Sequence, residues 1–116
     1  MTLFKSEAHR HLFEEKLTFF NASQNKDPRF LSALYIMTSV QGLHGLTDIC
    51  IDSGFQEIAI PDDYDITNQD RILVALASNL FSGGSEVSPI DLISKLGEDS
   101  FNVAMKAIYI RNTGAI

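Results

Sequence analysis

The sequence predicts an all-α domain, a compact bundle of four to five helices with a long irregular segment (about 43–66) between the second helix and the central helix. Three observations carry this. Apolar residues recur at spacings of three and four through five separate stretches. Four of those stretches open on a residue that can cap a helix. The one partly alternating run, Phe55-Gln56-Glu57-Ile58-Ala59-Ile60, has no second run to pair with.

The first helix is expected over residues 6–20. Ser6 is its candidate N-cap, and His9, Phe13, Lys16, Leu17 and Phe20 share one face. Asn21 to Lys26 is a polar connection. Asp27-Pro28 starts the second helix, because an aspartate can accept the first free amides and proline suits the first helical position. Its body is rich in Phe30, Leu31, Leu34, Tyr35, Ile36 and Met37, and Gly42 and Gly45 mark its end.

The central helix has a start, an apolar body and a stop. Thr67 or Asn68 caps it, and Asp70 favours its positive N-terminal end. Ile72, Leu73, Leu76, Ala77 and Leu80 recur along it, and Gly83 or Gly84 ends it in the left-handed conformation. So little polar face places this helix in the middle of the bundle. Asn79, between Leu76 and Leu80, is expected to be buried there and to satisfy a backbone group of the irregular segment. Ser88-Pro89-Ile90-Asp91 opens a fourth helix that stops at Gly97. The fifth runs over 98–111 with two apolar stripes. One is Phe101, Ala104, Met105 and Ile108; the other is Val103, Ala107 and Ile110. Either the central and fifth helices pair at the core, or one exposes a face that a second subunit covers.

The 116 residues fit a single domain, 1–116, able to bury about two thirds of its unfolded surface. The net charge of −6 argues against a nucleic-acid partner held through phosphates. The one cysteine, Cys50, excludes an internal disulfide and fits a reducing, cytoplasmic setting. The opening residues turn polar at once, unlike a secretory signal, and no apolar run is long enough to span a membrane. Charge is uneven: residues 30–70 carry Asp48, Asp52, Glu57, Asp62, Asp63, Asp65 and Asp70 and no Lys or Arg beyond Arg29 until Arg71.

Catalytic and metal motifs are poor. His9 and His11 form an HxH pattern, but residues two apart on a helix point in nearly opposite directions. His11 with Glu14 or Glu15 gives two ligands where catalytic zinc takes three, and only His44 remains to add another. One histidine packed at the helix interface and one on the surface is the simpler reading. Asp62-Asp63-Tyr64-Asp65 resembles the start of a calcium loop but lacks its glycine and its bidentate glutamate. Ser82-Gly83-Gly84-Ser85 lacks the lysine and the preceding strand of a phosphate loop. Cys50 sits in apolar company as a structural thiol. No catalytic residue and no cofactor is expected.

Several motifs together resemble a family of small proteins of unknown function from Gram-positive bacteria and their phages. Phe4-Lys5-Ser6-Glu7-Ala8-His9 with Phe13 is similar to its opening. Thr67 with Asn79-Leu80-Phe81-Ser82-Gly83 is similar to its central helix. Ser88-Pro89-Ile90-Asp91-Leu92 and Phe101-Asn102-Val103-Ala104-Met105-Lys106-Ala107-Ile108 are similar to its close. The tryptophan that precedes the threonine in that family is absent, and residues 43–66 carry none of the likeness. The resemblance implies a small helical protein of phage or mobile-element origin and assigns no activity.

Three functions remain. The first is a non-enzymatic interaction protein acting through an apolar helical face, as a homodimer. The second is an acidic binder of a basic partner, of the nucleic-acid-mimic type, using Asp48, Asp52, Glu57, Asp62, Asp63 and Asp65. The third is a small metal-dependent hydrolase using His9, His11, His44 or Cys50. Asn79, Gly83, Ser88, Pro89 and Phe101 are expected to be structural.

Overall fold

Residues 30–39 are buried without interruption, so the helix that contains them meets protein on every side. This computed structural model describes residues 4–47, 65–83 and 86–115. Five α-helices lie among them: α1 (Glu7–Leu17), α2 (Pro28–Ser39), α3 (Asn68–Ser82), α4 (Pro89–Lys95) and α5 (Glu98–Thr113). Single 3-10 turns at Gln24–Lys26 and Gln41–Leu43 flank α2, and residues 44–47 are helical. No strand occurs among the described residues.

The expected start signals act as caps. Hydroxyl oxygens of Ser6, Thr67 and Ser88 accept from the amides of His9, Asp70 and Asp91 at 3.1, 3.1 and 3.3 Å. The Asp27 carboxylate accepts from the Arg29 amide at 2.9 Å, with Pro28 in the first position. Gly83 and Gly114 stand at φ 72° and 71°, and their amides close α3 and α5 onto the Asn79 and Ile110 carbonyls. α1 stops at Leu17, short of the expected Phe20. There Thr18, Phe19 and Phe20 bond three residues back, and the tightened turn carries Phe20 inward.

The centre of the bundle is α2, not the helix at 68–82. α2 packs against α1, α3 and α5, and Leu34, Tyr35, Ile36 and Met37 have no exposed surface. α3 buries one stripe, centred on Leu73, Val74 and Ala77, and leaves its other side outward. Asn79 is therefore exposed rather than buried. It lies two residues from Ala77, about 200° around the helix.

The carbonyl end of α2 is built without a glycine. The chain leaves at Val40 in an extended conformation, φ −124° and ψ 128°, so the last carbonyls have no amide ahead of them. Side chains supply the donors. The Ser39 hydroxyl bonds the Ile36 carbonyl at 2.6 Å, and the Thr47 hydroxyl lies 2.9 Å from the Met37 carbonyl. His44 Nε2 reaches the Thr38 carbonyl at 3.3 Å, and His9 Nε2 the Tyr35 carbonyl at 3.0 Å. Among the described residues no buried polar side-chain atom lacks a partner.

The Cα radius of gyration, 12.8 Å, is near the roughly 13 Å of a single domain this long. No helix among the described residues is long and apolar enough to cross a membrane.

Candidate interaction surface

α4 and α5 follow one another with only Leu96 and Gly97 between them, and both are fixed at their ends. Ser88 caps α4, and Lys95 closes a 3.1 Å ion pair back onto Asp91. The lysine ammonium and the Ser88 hydroxyl hold the Asp91 carboxyl below its ordinary range. At the junction the Gly97 amide donates to Gln69 Oε1 at 2.7 Å, which fastens the start of α5 to the start of α3. At the far end Arg111 Nε donates to the Leu80 carbonyl at 2.7 Å. α5 is thus tied to α3 at both ends, and its rotation about its own axis is set.

That rotation puts the Val103, Ala107 and Ile110 stripe inside and, contrary to the expected grouping, takes Ala104 with it. Val103, Ala104, Ala107 and Ile110 face the core, where the two alanines let α5 approach α2 closely. The other stripe faces outward: Met105, Ile108 and Tyr109 are 37%, 36% and 51% exposed, with Phe101 half-buried beside them. On α4, Leu92 points inward, while Ile90 and Ile93 are 63% and 64% exposed. Of the six large hydrophobic residues with exposed side chains among the described residues, five lie on these two helices; the sixth is Phe19. Isolated apolar residues on a surface are ordinary, but a concentration of this kind marks a contact face.

The histidines do not converge on a metal. His9 is buried, with its ring edge-on to Tyr35 at 4.6 Å between centroids and to Phe4 at 5.2 Å. The Lys5 amide donates to its Nδ1 at 3.1 Å. Nε2 must then carry the proton that is given to the Tyr35 carbonyl. Both ring nitrogens are occupied, so no lone pair remains for a ligand role. Burial pushes its pKa down to about 4, although the carbonyl bond pulls the other way. His11 is on the surface, 3.6 Å from Glu7. His44 serves the Thr38 carbonyl. A cleft of about 360 Å³ lies between Lys5, Ser6, His9, Thr38, Gln41 and His44, and the two histidines in its wall are the ones bonded to the end of α2. No group of three or more His, Cys, Asp or Glu able to hold a metal occurs among the described residues.

Asp48, Asp52, Glu57, Asp62, Asp63 and Cys50 lie outside the described residues. Asp65 is exposed. Asp70 is buried at the first turn of α3, with its carboxylate against Gly42, and so does not extend an acidic surface. Gly83, Ser88 and Pro89 stand at helix ends, and Phe101 packs at the edge of the core.

The capping function of His9, His44 and Thr47 escapes sequence reasoning, because their acceptor carbonyls lie on another element. The one local signal is the missing glycine directly after Ser39, which leaves carbonyls in need of side-chain donors. Compared with known proteins, the chain matches no family model, no curated protein and no solved structure.

Proposed function

We propose that this chain is a non-enzymatic interaction protein that docks through the outward face of α4 and α5. The observation that carries the reading is the concentration of Ile90, Ile93, Met105, Ile108 and Tyr109 on two adjoining helices. Ile90 and Ile93 keep nearly two thirds of their surface in water, and Met105, Ile108 and Tyr109 keep a third to a half, apolar area that a partner could cover. A protein partner would remove them from water. A cytoplasmic setting belongs to the same proposal. So does kinship with the small helical proteins of Gram-positive bacteria and their phages, on the motif residues given above.

The test asks whether the face is free in the isolated chain. Ile90→Lys and Ile93→Lys, at residues 63% and 64% exposed, are expected to change stability by no more than about 0.5 kcal/mol, the usual range for exposed sites. Peroxide should oxidise Met105 much faster than Met37, which has no exposed surface. A loss of several kcal/mol, or a Met105 as slow to oxidise as Met37, would mean that the chain covers this face itself, and the reading would fall.

A further inference from the structure

We propose that Phe4 and Lys5 form an acid-released strap across α2 at Tyr35, with the neutral ring of His9 as its latch and Ser6 as its hinge. The strap is held from two sides. The Lys5 amide donates to His9 Nδ1 at 3.1 Å. The Phe4 ring packs on the rings of His9, Phe13 and Tyr35, with centroids 5.2, 5.3 and 5.9 Å away. Ser6 is fastened separately. Its hydroxyl accepts from the His9 amide and its carbonyl from the Arg10 amide, both at 3.1 Å. Neither bond involves the imidazole, so the start of α1 stays in place whatever the charge on the ring. The Ser6 backbone is extended, φ −161° and ψ 171°, in a broad allowed region where the residues ahead of it can swing.

Protonation acts on the two ring bonds in opposite ways. Nε2 already gives its proton to the Tyr35 carbonyl at 3.0 Å, and a charged ring strengthens that bond. Nδ1 turns from acceptor to donor, and the Lys5 amide is a donor as well. The ring therefore keeps its seat on α2, and the strap must leave it. The new N–H has somewhere to point, because His9 stands in the wall of the 360 Å³ cleft with Lys5, Thr38, Gln41 and His44, which is roomy and polar enough for water. The groups around the ring also favour release. Lys5 on the strap, His44 beyond the end of α2 and Lys106 on α5 each oppose a positive charge on it. The ring stands in the first turn of α1, at the positive end of that helix. Tyr35 stays neutral beside it, its phenol pushed up to about 12 by burial. Glu7 on α1 reaches His11 instead, and Asp99 on α5 lines the cavity behind Phe4.

Release uncovers a defined surface. Phe4 is one wall of a cavity of about 170 Å³, and Tyr35, Asn102, Val103 and Lys106 are among the others. Lys5 lines both this cavity and the cleft beside His9. With the strap away the two spaces join into one groove along α2, running from Asn102 to His44 with the Tyr35 ring at its centre. The strap closes that groove at neutral pH and opens it in acid. The bundle itself is not required to open, because the contacts of α2 with α3 and α5 do not pass through Phe4 or Lys5.

The chain has no tryptophan, so Phe4→Trp places a single fluorophore on the strap. As pH falls from neutral, its emission is expected to shift to the red and its quenching by acrylamide to rise several-fold, while far-UV dichroism keeps the helical signal. The midpoint is expected at about 4, where burial holds the pKa of the folded histidine. Adding His9→Gln, which keeps a neutral side chain there, should abolish the change. Exposure that comes only with loss of the helical signal overturns the strap, because the whole bundle is then opening. Exposure that persists after His9→Gln overturns the latch, and an emission that never moves while the chain stays folded in acid overturns both. Should either variant unfold, NMR reads the same event in the unsubstituted chain: the Phe4 ring protons and the His9 ring carbons should titrate with one midpoint. A Phe4 ring that keeps its shifts after the His9 ring has taken its proton overturns the proposal.

Discussion

His9 binds at both ring nitrogens and does so only when neutral. Protonation would place a second N–H against the Lys5 amide, donor against donor, inside an aromatic cluster of Phe4, Phe13 and Tyr35. The folded state therefore resists the proton, with a pKa pushed down to about 4, while the unfolded chain accepts it near the ordinary histidine value. As pH falls the unfolded state binds protons first, so stability declines through the window between these two values. The loss between pH 7.5 and 5 is expected to be about 2 kcal/mol, or about 8 °C in Tm for a chain of this length. The carboxyls of Asp27 and Asp91, held low by Arg29 and by Lys95, lose their contribution only at lower pH, so they leave this window to the histidine. Melting curves across the window check it, with His9→Gln as the flat control; an equal slope in that variant would refute the assignment. Thr47 poses a second residue-scale question, because its hydroxyl, fully buried, lies 2.9 Å from both the Met37 and the Leu43 carbonyls. Thr47→Val keeps the shape and leaves the Met37 carbonyl without its donor, an expected cost of about 1–3 kcal/mol by chemical denaturation. The sequence places His9 on the Phe13 face, since three and four residues make one turn. It gives no hint that the acceptor is a carbonyl on another helix, because that pairing depends on the crossing of α1 and α2.

Helix ends divide into those made by neighbours in sequence and those made by distant groups. Ser6, Asp27, Thr67 and Ser88 bond amides two or three residues ahead, so every one is legible from local order. Gly83 is legible for the same reason, since a positive φ strains any side-chain-bearing residue; Gly114 does the same for α5, which runs two residues past the expected end at Arg111. Nothing lies within 4 Å of a Cβ placed on Gly83, so Gly83→Ala isolates the backbone term. It is expected to cost about 1 kcal/mol, and Gly83→Asn less, in denaturant titrations. The end of α2 is different in kind, because beside its own Ser39 its donors come from His44, Thr47 and His9 on two other segments. The sequence shows two apolar stripes on α5 and cannot rank them, since both are apolar enough for a core. The fold splits the first of them: Ala104 joins Val103, Ala107 and Ile110 in the core, where small residues let α5 close on α2, while Met105 and Ile108 stay outward. That choice leaves the bulkier residues outside and creates the candidate surface. The site is half legible on this account: its residues can be listed from periodicity, but their exposure follows from a packing choice made elsewhere.

At the scale of the molecule the organising element is the shorter, less conspicuous helix. Residues 68–82 have the cleaner start, stripe and stop, and those local signals favour them as the centre. Centrality depends instead on how many sides a helix must cover, and α2 covers all of its own: Ser32, Thr38 and Ser39 are buried too, with hydroxyls turned back onto their helix's carbonyls. Back-bonded serines and threonines read as polar in a sequence, which hides a wholly buried helix behind an amphipathic pattern. α1, α3 and α5 all pack on α2, although α3 and α5 also touch each other directly. A cavity there should be felt by α1, α3 and α5 together rather than by one of them. Leu34→Ala, in the middle of α2 with no exposed surface, is expected to cost about 3–4 kcal/mol, a large part of the roughly 5–15 kcal/mol that holds such a domain. Amide exchange should rise in α1, α3 and α5 by similar factors in that variant, because they open as one unit. Ile93→Ala on the outward face of α4 removes a similar number of atoms and should leave exchange in all of them unchanged. Faster exchange confined to α2 in the Leu34 variant would show that the bundle divides into independently opening parts, and α2 would lose its place as the common core.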